Sequence, residues 1–329
     1  MTAPAALQRA QDAYGHRAAI LLAAILILKL LLLFWLGPSF FPDSNGYVTL
    51  GDDILAGRWL DDVGWASGPI PLPILRPYGY PLVVALAKYA AGSHFALALA
   101  ALQCIASTAA LGIVATALAA LVARPALRYA VIVLVALSGA SLYDIVLLSD
   151  SLYASLFIAV VFLIALDMTG RHHRGQGAIV ALGVAWGCSI WVRDVGLYFT
   201  LFPLIGLIVA DRLRGARTAA VVGSLVLFLL PVVALLALHL LWNAHRTGHF
   251  LLSLGDSINW LWPSINIVAG GYANPYDGPD FASRVVRSHP LAPGLAGMFQ
   301  LIDILWREYG FDPLQIKHVT FAHFTTVLA

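Results

Sequence analysis

The stretch AAILLAAILILKLLLLFWL, residues 18–36, decides the fold class of this chain. Its 19 residues contain a single charge, Lys29, and at about 1.5 Å per residue they nearly cross a membrane core of about 30 Å. No small-residue cleavage site follows the run, so we predict a retained transmembrane helix rather than a signal peptide. Because a charge inside a membrane is costly, Lys29 should face a helix bundle and pair with an acid, or extend toward the surface.

The composition of the whole chain agrees with that first helix. Of its 329 residues, 60% are hydrophobic and 11% are charged, and the mean hydropathy is +0.85. Soluble domains carry about 25% charged residues, so we expect an all-α integral membrane protein. The net charge of +2 gives no reason to expect nucleic-acid binding. Cys104 and Cys188 lie in apolar runs and are predicted to be core residues, not a disulfide or a metal pair.

Later apolar runs bring the predicted number of crossings to about seven. They cover residues 95–122, 129–143, 151–166, 178–192, 195–210 and 219–241. The predicted organisation is a cytoplasmic tail (1–17), a transmembrane bundle (18–241) with a long structured outer loop (37–94), and an outer C-terminal segment (242–329). Within that last segment, Gly, Pro, Asn and Asp predict loops at 270–290, and residues 298–309 are predicted to form an amphipathic helix.

Basic residues set the predicted orientation, because Lys and Arg are retained on the cytoplasmic side of a membrane. With the N-terminus inside an inner or plasma membrane, the same side receives Arg9, Arg17, Arg124, Arg128, Arg171, Arg174, Arg212, Arg214 and Arg217. This distribution requires the chain to reverse at Arg193, since a single crossing over 178–210 would put its two basic flanks on opposite sides. Asp43, Asp150, Arg193 and the segment after Trp242 then share the outer face.

The first outer loop carries the sequence FPDSNGYVTLGDDILAGRW, residues 41–59. Asp43 or Ser44 is predicted to cap a helix that ends at Gly57. A second helix at 82–91 is too short to cross the membrane. We expect it to lie along the membrane surface or against the bundle.

Five stretches follow one another between Asp43 and about Asn259. They are PDSNGYVTLGDDILAGRW, RPYGYPLVVALAKYAAG, LSDSLYASL, WVRDVGLYF and LWNAHRTGHFLLSLGDSINW. In this order they resemble the GT-C superfamily of membrane glycosyltransferases, most of all its protein O-mannosyltransferase and aminoarabinose transferase branch. The resemblance implies an enzyme that moves a sugar from a polyprenyl-phosphate donor to a glycan, lipid or protein acceptor at the outer membrane face.

The resemblance also implies roles for particular residues. Asp43 is the predicted catalytic residue, either as the base for the acceptor hydroxyl or as a ligand of a divalent metal, for which no ligand set is assigned. Arg76 and Arg193 carry fork-shaped guanidinium groups suited to the donor phosphate. The other predicted substrate-binding residues are Asp150, Tyr47, Tyr78, Asn243 and His245.

Structural interpretations of the same residues stay open. Asp43 could simply cap its helix, and Asp150 could cap the helix that starts at Ser151. Arg193 could form only a buried ion pair with Asp194.

Two other classes of function also stay open. The first is a transporter or flippase for a lipid-linked sugar, for which Lys29 in mid-membrane is the favourable feature. The second is a catalytically inactive accessory subunit. It is suggested by Trp242-Asn243, where the family has Arg-Asn, so a phosphate contact is either lost or supplied by His245 or Arg246.

Single-cysteine labelling tests the orientation. In a background without Cys104 and Cys188, a cysteine in the basic loop at 171–174 should react with a membrane-impermeant maleimide only after the cells are permeabilised. A cysteine replacing Ser67, in the first outer loop, should react in intact cells. Labelling of the 171–174 loop from outside intact cells would contradict the orientation and every assignment to the outer face.

Overall fold

The computed structural model describes residues 3–60, 76–138, 141, 143–169, 175–255, 257, 261, 280–289, 291 and 295–328. It is 83% helical, and the described residues contain no β-strand, only a lone parallel bridge between Ser39 and Val146. The predicted all-α class is confirmed. The chain divides into two compact units, Met1–Trp59 with Pro77–Leu238 and Leu60–Arg76 with His239–Ala329.

Among the described residues, the first unit holds eight helices and most of a ninth. They are α1 (Ala3–Leu36), α2 (Pro42–Leu55), α3 (Gly79–Ala91), α4 (Phe95–Leu121), α5 (Pro125–Ala136), α6 (Ser149–Met168), α7 (Gln176–Val192), α8 (Leu201–Leu213) and α9 (Thr218–Thr247). Short 3-10 turns at Gly92–His94, Tyr143–Ile145 and Asp194–Leu197 connect neighbouring helices. The apolar runs of the sequence therefore fold as helices with irregular joints between them.

Five helical segments in the described part of the chain are long and apolar enough to cross a membrane, which indicates an integral membrane protein. They are Tyr14–Leu36, Gly79–Leu121, Ser149–Met168, Asp194–Leu213 and Thr218–Arg246. Helices α5 and α7 are shorter, with 12 and 17 residues. Seven crossings, a cytoplasmic N-terminus and the choice of membrane stay predictions, and Arg171 and Arg174 lie outside the described residues.

The predicted short helix of the outer loop is α3. A single helix over the 43 residues of Gly79–Leu121 would be about 65 Å long, roughly twice a membrane core. The chain instead bends at Gly92, whose φ of 54° costs glycine little. Helix α3 packs against α2, α4 and α7. The structure therefore shows packing against the bundle, and a position along the membrane surface stays a prediction.

The chain turns back at Arg193, as predicted. Helix α7 ends at Val192, and Arg193 adopts an extended backbone with φ −154° and ψ 117°. The Trp186 indole N–H then donates to the Thr200 hydroxyl at 3.0 Å. In a continuous helix these two residues would be about 21 Å apart along the axis, so the hydrogen bond requires a reversal between them.

Helix α2 begins slightly earlier than predicted. Its first residue is Pro42, and the N–H of the preceding residue, Phe41, donates to the Ser44 hydroxyl at 2.9 Å. Asp43 therefore lies in the first turn and is not the cap, so that interpretation was wrong. A carboxylate in the first turn is still favourable, because it interacts with the positive end of the helix dipole. The helix ends at Leu55, and Gly57, with a φ of 75°, follows the C-cap residue Ala56, close to the predicted end.

The second unit contains α10 (Phe281–Ser288), α11 (Leu295–Arg307) and α12 (Pro313–Leu328). Helix α11 confirms the amphipathic helix predicted near this position, and it buries Met298, Leu301 and Leu305. The prediction of loops throughout 270–290 was wrong at α10. The Asp280 side chain accepts a hydrogen bond from the Ser283 N–H at 3.0 Å, so Asp280 is the N-cap of this helix. The loop-forming residues around it had led to the prediction of a loop.

Glycines allow several helices of the first unit to approach closely. A Cβ atom added at Gly183 would lie 2.2 Å from the Phe228 carbonyl oxygen. One added at Gly79, at the start of α3, would lie 2.4 Å from the Trp191 carbonyl carbon. Small residues at such crossings are typical of helices packed in membranes. The glycine at 79 therefore brings α3 against the end of α7, next to Arg193.

Gly79→Ala should lower the free energy of unfolding by about 1–3 kcal/mol, the usual range for overpacking. The new methyl group would meet the backbone of Trp191 and Val192, which cannot move aside as a side chain can. Gly112→Ala is the matched control, because the nearest atom to its new Cβ would be Leu22 Cδ1 at 3.7 Å. Unfolding of both variants in detergent gives the comparison. Equal stability would mean that the α3–α7 contact is looser than described.

Candidate functional site

The candidate site is built around an irregular joint, residues 143–148, that leads into α6. Ser39, just beyond α1, pairs with this joint through its backbone. The Ser39 N–H donates to the Ile145 carbonyl at 2.9 Å, and the Leu147 N–H donates to the Ser39 carbonyl at 3.0 Å. The joint is thereby tied to the end of the first transmembrane helix.

Gln103 holds the same joint from α4. Its side-chain amide donates to the carbonyl oxygens of Asp144 at 3.0 Å and Val146 at 2.8 Å. Its own oxygen accepts a hydrogen bond from the Tyr80 hydroxyl at 2.6 Å. Irregular backbone inside a membrane bundle needs such partners, because its polar groups have no water to bind. Gln103 therefore stabilises the irregular path of the joint.

Asp144 is a buried charge at the centre of this arrangement, with only 2% of its surface exposed. One carboxylate oxygen accepts from the Ser151 hydroxyl at 2.5 Å. The other accepts from the Ser107 hydroxyl at 2.7 Å and from the Lys29 ammonium at 2.6 Å. Lys29 is itself buried, so of its two predicted fates the structure shows pairing with an acid.

Tyr47 connects α2 to the first residue of α6. Its hydroxyl lies 2.9 Å from the Ser149 hydroxyl, and its ring meets the Tyr80 ring edge-on at 4.8 Å between centroids. Asp43 is half-buried one helical turn before Tyr47, and residues at this spacing share a helix face. Tyr47 is buried, as is Tyr78 at the start of α3. The predicted catalytic carboxylate is thus placed on the side of α2 that approaches α6.

Asp150 and Arg193 form an ion pair whose side chains are 40% and 38% exposed. Because α6 already starts at Ser149, with Leu148 at the N-cap, Asp150 does not cap that helix. The interpretation of Asp150 as a cap was therefore wrong, and so was that of Arg193 as a buried partner of Asp194 alone. At this exposure an ion pair stabilises the fold by about 1 kcal/mol or less, so its partners can exchange with a ligand.

Three predicted site residues belong to the second unit. Arg76 is half-buried, and His245 is exposed near the end of α9. Asn243 is buried, and its amide donates to the carbonyls of Leu251 at 2.7 Å and Leu252 at 2.9 Å. The first unit contains the other predicted site residues: Asp43, Tyr47, Tyr78, Asp150 and Arg193.

The second unit also has a buried polar cluster that the sequence did not predict. The Asp280 carboxylate accepts from the Ser283 hydroxyl at 2.6 Å and lies 3.2 Å from Nδ1 of the buried His323. Burial raises the pKa of Asp280, but the Ser283 hydrogen bonds and the nearby His323 outweigh it and bring the pKa below its usual range. Burial lowers the pKa of His323, although Asp280 opposes this shift. The cluster joins α10 to α12.

Sequence reasoning missed Asp144, Gln103 and Ser107, although a signal was present. Gln103 and Ser107 are four residues apart in an apolar run, so they lie on one face of α4. Polar side chains on one face of a membrane helix indicate partners inside the bundle. Together with Lys29, which requires an acid, this spacing predicts a buried polar network at the helix joint.

No protein family, curated protein or solved structure matches this chain. Within the residues that the structure describes, no three His, Cys, Asp or Glu side chains form a group that could hold a metal ion. The function of the site has to be inferred from its own residues and distances.

Lys29→Met should lower the free energy of unfolding by about 3–5 kcal/mol, because it leaves the Asp144 carboxylate buried without its counter-ion. Adding Asp144→Asn should restore most of that loss, since the amide is neutral and its oxygen still accepts a serine hydrogen bond. Thermal and denaturant unfolding in detergent would measure both effects.

Arg58→Met is the matched control. Arg58 pairs with Asp53 at 2.6 Å, but its side chain is 56% exposed, so we expect a loss of about 1 kcal/mol or less. A Lys29→Met variant no less stable than Arg58→Met would show that Asp144 does not depend on this counter-ion.

Proposed function

We propose that the protein is a glycosyltransferase that moves a sugar from a polyprenyl-phosphate donor to an acceptor at the outer face of the membrane. The observation that carries the proposal is the half-exposed Asp150–Arg193 ion pair at a helix joint of a membrane bundle. Arg193 offers a guanidinium whose present partner is weakly held, and a guanidinium binds phosphate through two parallel hydrogen bonds. The surrounding motifs resemble those of membrane glycosyltransferases, and this resemblance is the reason for proposing a polyprenyl-phosphate sugar as the phosphate ligand.

Arg193 is well suited to hold a leaving phosphate. Its backbone is fixed, because α7 ends immediately before it and a 3-10 turn begins immediately after it. Its side chain is partly open, so a phosphate oxygen can replace Asp150 at the guanidinium. A positive charge at this position stabilises the electron pair that stays on the phosphate when the bond to the sugar breaks.

Asp43 is positioned to serve as the base of the same reaction. It lies on the face of α2 that carries Tyr47, and Tyr47 reaches Ser149, the residue next to Asp150. In the proposed reaction the acceptor oxygen attacks the anomeric carbon and its proton passes to Asp43. The bond between the anomeric carbon and the phosphate oxygen breaks, and its electron pair leaves with the lipid phosphate. Asp43 would also be the residue to hold a divalent metal, which would supply positive charge that makes the acceptor hydroxyl easier to deprotonate.

Transport of a lipid-linked sugar is the second candidate, and the buried Lys29–Asp144 pair favours it. Ionisable residues inside a membrane bundle commonly mark transport pathways. Here, however, Asp144 already accepts hydrogen bonds from Lys29, Ser107 and Ser151, which suits a structural role better. A catalytically inactive accessory subunit is the third. Purified protein incubated with a polyprenyl-phosphate sugar separates the first candidate from the other two, because only the enzyme releases the lipid phosphate.

Asp43→Asn should reduce sugar transfer by about a hundredfold or more, the usual scale for a general base. Its free energy of unfolding should fall by about 1 kcal/mol or less, the scale of the interaction between a carboxylate in the first turn and the helix dipole. Transfer from a radiolabelled polyprenyl-phosphate sugar and thermal unfolding are measured on the same preparation.

Asp52→Asn is the control, because Asp52 lies on the same helix and pairs with Lys88 at 2.5 Å while its side chain is 54% exposed. It should retain nearly full transfer activity. An Asp43→Asn protein as active as the parent would remove Asp43 from the mechanism.

A further inference from the structure

Aromatic rings cluster along α6 in the two turns that follow Asp150. The Tyr153 and Phe157 ring centroids are 6.0 Å apart, and the Phe157 ring is 5.5 Å from Trp186 and 5.9 Å from Phe199. The Tyr153 ring also lies near Gly196, where an added Cβ would be 3.3 Å from its Cε2. A phenylalanine ring would make these same contacts, so packing explains the ring at position 153 but not its hydroxyl.

The Tyr153 hydroxyl is buried, and it has no hydrogen-bond partner among the described residues. Two other buried tyrosines of the unit donate hydrogen bonds within the protein. Tyr14 donates to the Ala115 carbonyl at 3.1 Å, and Tyr80 donates to Gln103. Leaving a buried hydroxyl unpaired lowers the stability of the fold. A polar atom kept at such a cost indicates a partner that is not part of the protein.

The hydroxyl lies beside the half-exposed ion pair. Tyr153 is three residues after Asp150 on α6, so the two share a helix face. Its ring lies near Gly196, which belongs to the turn that follows Arg193. An uncommitted O–H donor next to a guanidinium matches an anionic oxygen, since both groups attract negative charge.

We propose that Tyr153 is a ligand-binding residue, whose hydroxyl donates a hydrogen bond to a phosphate oxygen held by Arg193. The phosphate takes the place of Asp150 at the guanidinium, and Asp150, which is 40% exposed, turns toward solvent. The identification of this phosphate as that of a polyprenyl lipid rests on the proposed function. The geometry at Tyr153 and Arg193 itself requires only a phosphate anion.

The test is Tyr153→Phe, which removes one oxygen atom and keeps the ring. Binding of radiolabelled polyprenyl phosphate to the purified protein in detergent should weaken about tenfold or more, the scale of one hydrogen bond to a charged group. The melting temperature without ligand should stay the same or rise, because a buried unpaired hydroxyl is lost. Weaker binding without a loss of stability is a combination that a purely structural tyrosine would not produce.

Tyr14→Phe is the matched control. It removes a hydroxyl that is satisfied within the protein, so it should lower the melting temperature and leave polyprenyl phosphate binding unchanged. Competition by inorganic phosphate and by unphosphorylated polyprenol identifies the source of the anion. Displacement by inorganic phosphate but not by polyprenol would support the phosphate contact. It would also show that the lipid chain does not contribute to binding at this site.

Arg193→Ala separates the inference from the proposed function on which it rests. Binding that falls in Arg193→Ala but not in Tyr153→Phe would overturn the role of Tyr153 and keep Arg193 as the phosphate ligand. Binding unchanged in both variants would overturn both. A Tyr153→Phe protein that loses stability and binding together would show that the hydroxyl is structural, which also overturns the inference.

Discussion

The buried carboxylate of Asp144 is the constraint on which the first unit depends. A charge that is 2% exposed inside a membrane bundle has to be neutralised and hydrogen-bonded, or the folded state loses several kcal/mol. Lys29 supplies the opposite charge from α1, and Ser107 and Ser151 supply hydrogen bonds from α4 and α6. Three helices distant in sequence must therefore meet at one point, and that point lies at the joint before α6.

The path of that joint follows from the same meeting point. Once Asp144 is fixed, the carbonyl groups around it face Gln103, and the backbone of Ile145 and Leu147 faces Ser39. Helix α6 can then start only at Ser149, which places Asp150 toward Arg193 and Ser149 toward Tyr47. The Asp150–Arg193 pair is thus positioned by a buried network to which neither residue belongs.

Much of this fold could be predicted from the sequence, because apolar runs, basic loops and glycines act locally. The first helix, the reversal at Arg193 and the helix end near Gly57 depend on residues next to one another. The partner of Lys29 could not be located in the same way, because Asp144 is 115 residues away. The starts of α2 and α6 also differed from the prediction, since Phe41 and Leu148, not the nearby carboxylates, occupy the N-cap positions. Asp43 and Asp150, which were predicted as possible caps, therefore lie inside the first turns of these helices. Their carboxylates do not cap the helices and can take another role.

The two ion pairs around the joint differ in what they can do. Lys29 and Asp144 are both below a tenth exposed and are hydrogen-bonded on several sides, so separating them would leave a bare charge in an apolar interior. Asp150 and Arg193 are both more than a third exposed, so water can replace either partner at little cost. A binding site needs charges that can change partners, whereas a fold needs charges that cannot. We therefore assign ligand exchange to the pair at Arg193 and the maintenance of the joint to the pair at Asp144.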